Sequence, residues 1–313
     1  MDMEISRLLF EQILEMFIML LMGFLLVKKR ILKVSDSKIL SVILLYLAIP
    51  CAILSAFQAE FDKGLIKGLL LALCSAVLCH IILLAGSKIL GKTMRLTAVE
   101  KVSVVYSNSS NLIIPIVTAI LGEEWVVYST AYQAVQLLLL WTHGKTLLSG
   151  QKKLDWQAIK KIVWNGNLLA VFVGIIMFMT GVRIPGLLSD TAKSVGGMVA
   201  PASMFIVGML VAGMNWKQLF CNCRAYQVVI LRMIGFPTAV LLLFRFLKII
   251  LEGGRTETVL LISFLAAITP PATAVIQMSQ VYGRDSEYAG VLNVLSTFLC
   301  IITMPVFTLL YLA

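Results

Sequence analysis

Charged residues are scarce in this chain. Asp, Glu, Lys and Arg together make up 13% of its 313 residues, whereas hydrophobic residues make up 60%, and the mean hydropathy is +0.96. A water-soluble protein of this length could not bury so much apolar surface. In lipid only helices and closed barrels satisfy all their backbone hydrogen bonds, and the long continuous apolar runs exclude a barrel. The sequence therefore predicts an all-α polytopic membrane protein.

Side chains that could carry catalysis or bind a metal are equally few. Of the 16 acidic residues only Glu11 and Glu15 lie away from the loops and the ends of predicted spans, and neither His80 nor His143 has an acid close to it in sequence. Without a nucleophile–base pair or a cluster of metal ligands, the chain is not expected to be an enzyme or to hold a metal or another cofactor. The lack of a carboxylate in mid-membrane also weighs against a sodium/proton antiporter, which would need one to bind its cation.

The six cysteines are scattered along the chain. Four of them lie in predicted spans, where cysteine usually behaves as a small apolar residue, and Cys221 and Cys223 lie in a predicted cytoplasmic loop, where thiols stay reduced. A single C-x-C pair without further ligands is a weak signal for a metal site. All six are predicted to be free thiols.

Long apolar segments dominate what the chain does contain. Crossing the hydrocarbon core takes about 20 mostly apolar residues. Ten segments meet this requirement, at residues 6–27, 37–58, 66–90, 98–121, 124–148, 161–182, 187–211, 225–247, 258–281 and 287–312. The connections are too short to form a separate soluble domain, so the chain is predicted to be one membrane domain of ten transmembrane helices.

The basic residues are divided unevenly between the two sides of the predicted membrane. Eight of the 26 Lys and Arg residues lie on the side of the N terminus and 18 lie on the other side. Because Lys and Arg accumulate in cytoplasmic loops, the side with 18 is predicted to be cytoplasmic and both termini to be outside the plasma membrane. Topology accounts for the net charge of +10, and no nucleic-acid partner is expected.

Matching prolines recur in the two halves of the chain. Pro50 and Pro201 are 151 residues apart, and Pro115 and Pro270 are 155 apart. Since each half holds five spans, an odd number, the second half must enter the membrane in the opposite sense, which is the arrangement of an inverted repeat. The predicted units are residues 1–148, a short cytoplasmic linker at 149–160, and residues 161–313.

The fourth and ninth spans carry the strongest interruptions. The fourth reads YSNSSNLIIPIV from Tyr106 to Val117, and the ninth reads AAITPPATAVIQ from Ala266 to Gln277. Proline removes a helical hydrogen bond, which lipid tolerates only where protein or a wet cavity surrounds the break. We expect the two broken helices to cross at mid-membrane, with the N-termini of their second halves directed at an anion or a polar carbonyl compound. The candidate substrate-binding residues are Ser107, Asn108, Ser109, Ser110, Asn111, Pro115, Thr269, Pro270, Pro271, Thr273 and Gln277.

Several of these features have simpler interpretations, which the sequence leaves open. Prolines kink many membrane helices, and polar side chains often only join helices by hydrogen bonds, which is the favoured interpretation for Gln133, Gln136 and Gln277. Arg232 in the eighth span either attracts anions or extends its side chain to the headgroups. Glu11 and Glu15, one helical turn apart, either relay protons or lie at the membrane surface, and the surface position is favoured.

At these motifs the chain resembles the auxin efflux carrier family, whose members share the fold of the bile acid sodium symporters. The resemblance covers nearly the whole chain. It is carried by Asn108 seven residues before Pro115, by the Ala48-Ile49-Pro50 step, by Asn165 followed by Gly174, by Pro270 leading into Tyr282-Gly283, and by Pro305. Two features depart from the family: the long hydrophilic central loop of the plant exporters is absent, and Gly166 stands where relatives often have proline.

The resemblance implies a scaffold of spans 1, 2, 6 and 7 and a mobile transport unit of spans 3–5 and 8–10. It implies an efflux carrier for small organic anions, carboxylates such as indole-acetate or malate, that works by elevator-type alternating access. Asn108 matches the family's substrate-contacting asparagine, and Pro50 and Pro201 would line the scaffold side. Coupling to H+ or Na+ and a homodimeric assembly are left open, and the alternatives are a sodium-coupled symporter of the bile acid type or a membrane ligand sensor that does not transport.

Overall fold

The computed structural model describes residues 2–58, 63–150, 166–213, 222–251 and 253–313. Within these ranges the regular secondary structure is helical, apart from one isolated β-bridge. The α-helices are α1 Asp2–Lys28, α2 Ser37–Ile43, α3 Ile49–Ala56, α4 Lys63–Thr93, α5 Ala98–Val105, α6 Ser109–Leu121, α7 Val126–Leu139, α8 Lys145–Ser149, α9 Gly166–Thr180, α10 Gly186–Gly196, α11 Val199–Ala212, α12 Cys223–Ile230, α13 Phe236–Ile250, α14 Gly254–Ile268, α15 Thr273–Val281 and α16 Ser286–Leu312.

Five helical segments of the described chain are long and apolar enough to cross a membrane. They are Val34–Ala56, Gly64–Thr93, Gly186–Ala212, Cys223–Ile250 and Ser286–Leu312. Large apolar side chains such as Leu187 (82% exposed) and Ile249 (76% exposed) cover the outside of the bundle. Such a surface is unfavourable in water and favourable in lipid, so the chain is an all-α membrane protein.

Each of the ten predicted spans contains helix where the structure describes it, and their number stays a prediction. Residues 161–165 of the sixth span and most of the linker at 149–160 lie outside the described residues. The fourth span consists of α5 and α6, and the ninth consists of α14 and α15, so both are interrupted at the predicted places. The inverted relation between the two halves stays a prediction.

Prolines shape the second and eighth spans without breaking them. Pro50 follows directly on a π-helical turn at Leu44–Ala48, and Pro237 follows one at Leu231–Gly235. A proline ring clashes with the carbonyl four residues earlier, and a wider π turn relieves this clash while the helix continues. At Pro50 the helix is therefore bulged but continuous. In the seventh span, Pro201 follows a short turn at Gly197 and Met198 that separates α10 from α11.

The helices pack mainly within two groups. Helices α1, α3, α9, α10 and α11 form one group, in which α1 lies against α11 and α3 lies against α9 and α10. In the second group α4 contacts α7 and α14, α13 contacts α14, and α15 contacts α16. Fewer contacts join the groups, chiefly from α1 and α11 to α6 and from α1 to α16.

Glycines allow α1 and α11 to touch through their backbones. A Cβ atom on Gly208 would overlap the carbonyl oxygen of Leu20, and a Cβ atom on Gly23 would overlap the backbone of Phe205. In lipid, where the hydrophobic effect does not drive helices together, such close approach supplies the van der Waals contact that holds them. Gly174, which lies 151 residues after Gly23, meets the ring of Phe57 in the same way.

Candidate functional site

The fourth span is interrupted over three residues. Helix α5 ends at Val105, Tyr106 is extended (φ −95°, ψ 117°), and α6 starts at Ser109 after Asn108 (φ −81°, ψ 41°). This is the YSN sequence at the start of the predicted polar run. Ser and Asn are weak helix formers, so this sequence favours a break over a continuous helix.

The ninth span is interrupted over four residues. Helix α14 ends at Ile268, Thr269 is extended (φ −65°, ψ 159°), and α15 starts at Thr273. The two consecutive prolines, Pro270 and Pro271, have no N–H groups to donate to the preceding turn, so the helix cannot pass through them.

The two interruptions contact each other directly. Ser107 and Pro271 form an antiparallel bridge. The Asn108 N–H donates to the Pro270 carbonyl at 2.7 Å, and the Ala272 N–H donates to the Tyr106 carbonyl at 2.9 Å. Each extended segment thus supplies the hydrogen-bond partners that the other lost when its helix was interrupted, which is how irregular backbone is tolerated within a membrane protein.

Two amide side chains satisfy the remaining groups of the crossing. The Gln136 carbonyl oxygen accepts the Ser107 N–H at 3.0 Å and the Ser107 hydroxyl at 2.5 Å, and its amide donates to the Ser107 carbonyl at 2.7 Å. The Asn293 amide donates to the Pro271 carbonyl at 2.5 Å. Gln136 therefore makes interhelical hydrogen bonds, as favoured from the sequence. A substrate that binds the Ser107 hydroxyl, as predicted, would have to compete with Gln136 for it.

Arg232 lies beside both interruptions. Its guanidinium donates to the Val104 carbonyl at 2.9 Å, to the Ala267 carbonyl at 3.0 Å and to the Thr269 carbonyl at 2.6 Å. The residue is only 1% exposed, so the alternative in which it reaches the headgroups is wrong. The charge of Arg232 alone does not indicate this role, and the further sequence signal is Pro237, five residues later. That proline accounts for the π turn that carries Arg232.

The predicted site residues differ in what their side chains do. Asn108 is 4% exposed, and its side chain makes no cap hydrogen bond to the first turn of α6. The Ser109 hydroxyl is buried and also lacks a partner within the described chain. The Thr269 hydroxyl donates to the Ala266 carbonyl at 3.1 Å. Pro270 and Pro271 are buried and Thr273 is half-buried.

Four further predicted residues are described only in part. Ser110, Asn111 and Pro115 lie in α6 and Gln277 lies in α15, but their side chains lie outside the described part of the structure.

A cavity of about 290 Å³ lies next to α6, between the two groups of helices. The wall of the first group consists of small residues of α3, α10 and α11, among them Ala52, Gly196 and Ala200, and Ile114 and Thr118 of α6 face it. Lys193 and Glu123 also line it, 3.8 Å apart and both well exposed. The predicted scaffold residues Pro50 and Pro201 do not line this cavity; their neighbours Ala52 and Ala200 do.

A buried carboxylate lies at the start of α5 and was not expected from the sequence, which placed Glu100 at the end of a span. Glu100 is 1% exposed. It accepts hydrogen bonds from Arg224 at 2.7 and 3.0 Å and from the Tyr288 hydroxyl at 2.9 Å. This contact joins α5 to α12 and α16, which come from the other half of the chain. Within the described ranges, no three His, Cys, Asp or Glu side chains are placed to hold a metal ion.

Comparison with known proteins agrees with this geometry at the level of family. Curated protein sequences give no match. The family model described as membrane transport protein matches residues 8–308, which is nearly the full length of the chain. The protein therefore belongs to this family of membrane transport proteins, the auxin efflux carrier family.

Proposed function

We propose that the protein is a secondary transporter that exports small organic anions, carboxylates in particular, and binds them at the crossing of the two interrupted helices. The observation that carries this proposal is a pair of polar side chains buried at the crossing: Asn108, which is 4% exposed and makes no cap hydrogen bond to α6, and Ser109, whose hydroxyl has no partner within the described chain. A buried hydroxyl without a partner costs free energy unless a ligand satisfies it. The Asn108 amide, one residue earlier, adds a second donor.

The electrostatics of the crossing favour an anionic ligand. The ends of α5 and α14, which carry partial negative charge, are neutralised by the guanidinium of Arg232. The starts of α6 and α15, which carry partial positive charge and free N–H groups, have no acidic side chain in their first turns. A carboxylate bound there would be stabilised by both helix dipoles and would accept a hydrogen bond from the Asn108 amide.

We further propose that the chain is a ten-span inverted repeat with both termini outside the plasma membrane and that it works by an elevator-type movement, which the helix packing supports. In this proposal α1, α3, α9, α10 and α11 are the scaffold and the second group carries the substrate. The contacts between the groups are fewer than those inside them, and a wall of Ala and Gly residues lies along the boundary. Because small side chains interdigitate little across this boundary, they favour sliding of one group of helices past the other.

The test is counterflow of radiolabelled carboxylates, malate and indole-acetate among them, in proteoliposomes. Asn108→Ala should lower the flux about tenfold or more, because a hydrogen bond to a charged group contributes about 1.5–3 kcal/mol. Asn108→Asp, which has nearly the same shape but repels an anion, should lower it at least as far. Both variants should keep the melting temperature of the wild type, since the side chain makes no cap hydrogen bond to α6.

Unchanged flux in both variants would remove Asn108 from the site. Binding of a carboxylate to the wild type without any counterflow would identify a ligand sensor instead of a transporter.

A further inference from the structure

Arg232 has an unusual set of partners for a charged residue buried in a membrane protein. Its three described hydrogen bonds all go to backbone carbonyls, two from the end of α14 and one from the end of α5. The ion pairs found in the described chain involve other residues: Glu100 with Arg224, Glu123 with Lys193 and Glu257 with Lys248. Arg232 is therefore held by oxygen dipoles and not by a carboxylate.

These carbonyls are the ones that interruption of the helices leaves without donors. The last carbonyls of a helix have no N–H partner within it, and they form the negative end of its dipole. Here two such ends, from different halves of the chain, meet within reach of one side chain. In transporters with discontinuous helices, unwound carbonyls and half-helix C-termini are the groups that coordinate a coupling cation such as Na+. In this protein the guanidinium already occupies them.

We infer that Arg232 is a built-in cation that replaces a coupling ion at the crossing, so that anion transport does not depend on sodium. This inference rests on the proposed transport function and adds its ion dependence. Arg232 acts as a positioning residue: it holds the ends of α5 and α14 together and supplies a permanent positive charge beside the anion site. The π turn at Leu231–Gly235 and Pro237 fix the side chain in place.

Three variants separate the charge of Arg232 from its packing. Arg232→Lys keeps the positive charge, Arg232→Met is neutral with a similar length, and Arg245→Ala removes an exposed arginine of the same span as a control. Carboxylate counterflow is measured in proteoliposomes in which sodium chloride is replaced by choline chloride. The melting temperature of each purified variant is measured in choline chloride, in sodium chloride and in millimolar guanidinium chloride.

The wild type and Arg245→Ala should transport equally in sodium and choline. Arg232→Met should lose about tenfold or more of its flux in choline, because several hydrogen bonds to a charged group are lost. Sodium or guanidinium should restore part of that flux and raise the melting temperature of Arg232→Met, since either cation can bind the carbonyl oxygens that Arg232 occupies in the wild type. Arg232→Lys should stay independent of sodium and retain more flux than Arg232→Met.

Three results would overturn the inference: wild-type flux that requires sodium, wild-type flux retained by Arg232→Met in choline, or a folded Arg232→Met that no cation rescues. If the wild type moves no carboxylate at all, the proposed function fails. The melting temperatures of Arg232→Met then decide the question alone, because a cation that fills the site stabilises the protein by mass action, and the lack of any such rise rejects the role of Arg232.

Discussion

Single side chains complete the backbone hydrogen bonding of the crossing, and Gln136 does so most fully. Its amide pairs with both the N–H and the carbonyl of Ser107, as a neighbouring strand would. Gln136→Leu should lower the free energy of unfolding by about 2 kcal/mol or more, because a buried donor and a buried acceptor lose their partners. Thermal melting of the purified protein measures this loss.

Gln133, one turn earlier on α7, is the matched control. Its amide nitrogen is buried without a partner among the described residues, so Gln133→Leu should leave the melting temperature unchanged or raise it. An equal drop for the two variants would show that the polar groups of α7 act through packing alone.

The sequence allowed the interruptions to be predicted, but not the side chains that complete them. The polar run from Ser107 and the Pro270-Pro271 pair are local signals, since each acts on its own helix. Gln136 lies 29 residues from Ser107 and Asn293 lies 22 from Pro271, and no local rule connects residues so far apart. For the same reason the sequence alone does not decide between the two interpretations of Arg232, whereas its three carbonyl partners do.

At the level of helices, α1 and α11 depend on Gly208. A leucine there would drive the two backbones apart, because the Cβ position is already filled by Leu20 and Phe24 of α1. Gly208→Leu should therefore give little folded protein, which a size-exclusion profile in detergent would show as a loss of the monodisperse peak. Gly186→Ala is the control, since a Cβ atom there meets nothing. A normal profile for Gly208→Leu would contradict the close approach.

Helix boundaries were easier to predict than helix shape. The apolar runs mark where the chain is helical, because lipid demands a minimum length of apolar helix. They did not reveal that Pro50 and Pro237 follow π turns, whereas Pro270 and Pro271 end a helix. One proline can be absorbed by a wider turn, but two in sequence remove two adjacent donors, and a second chain segment must then supply the partners.

Considered as a whole, the molecule joins its two halves at more than the crossing. Glu100, from the first half, binds Arg224 and Tyr288 from the second, and Arg232 binds both interrupted helices. All of these residues belong to the proposed substrate-carrying group. They would make that group one rigid body, whereas its boundary with the proposed scaffold has a cavity and the exposed pair Lys193 and Glu123.

That pair allows the elevator movement to be tested directly. Lys193 lies on α10 of the proposed scaffold, Glu123 lies between α6 and α7 of the moving group, and their charged atoms are 3.8 Å apart. In a background without the six native cysteines, Lys193→Cys combined with Glu123→Cys should lose carboxylate flux when a short reducible reagent links the two thiols. The flux should return on reduction, because the link stops one group from sliding past the other. Each single-cysteine variant, treated alike, should keep its flux. Full flux from a completely linked protein would mean that substrate crosses the membrane without relative movement of the two groups.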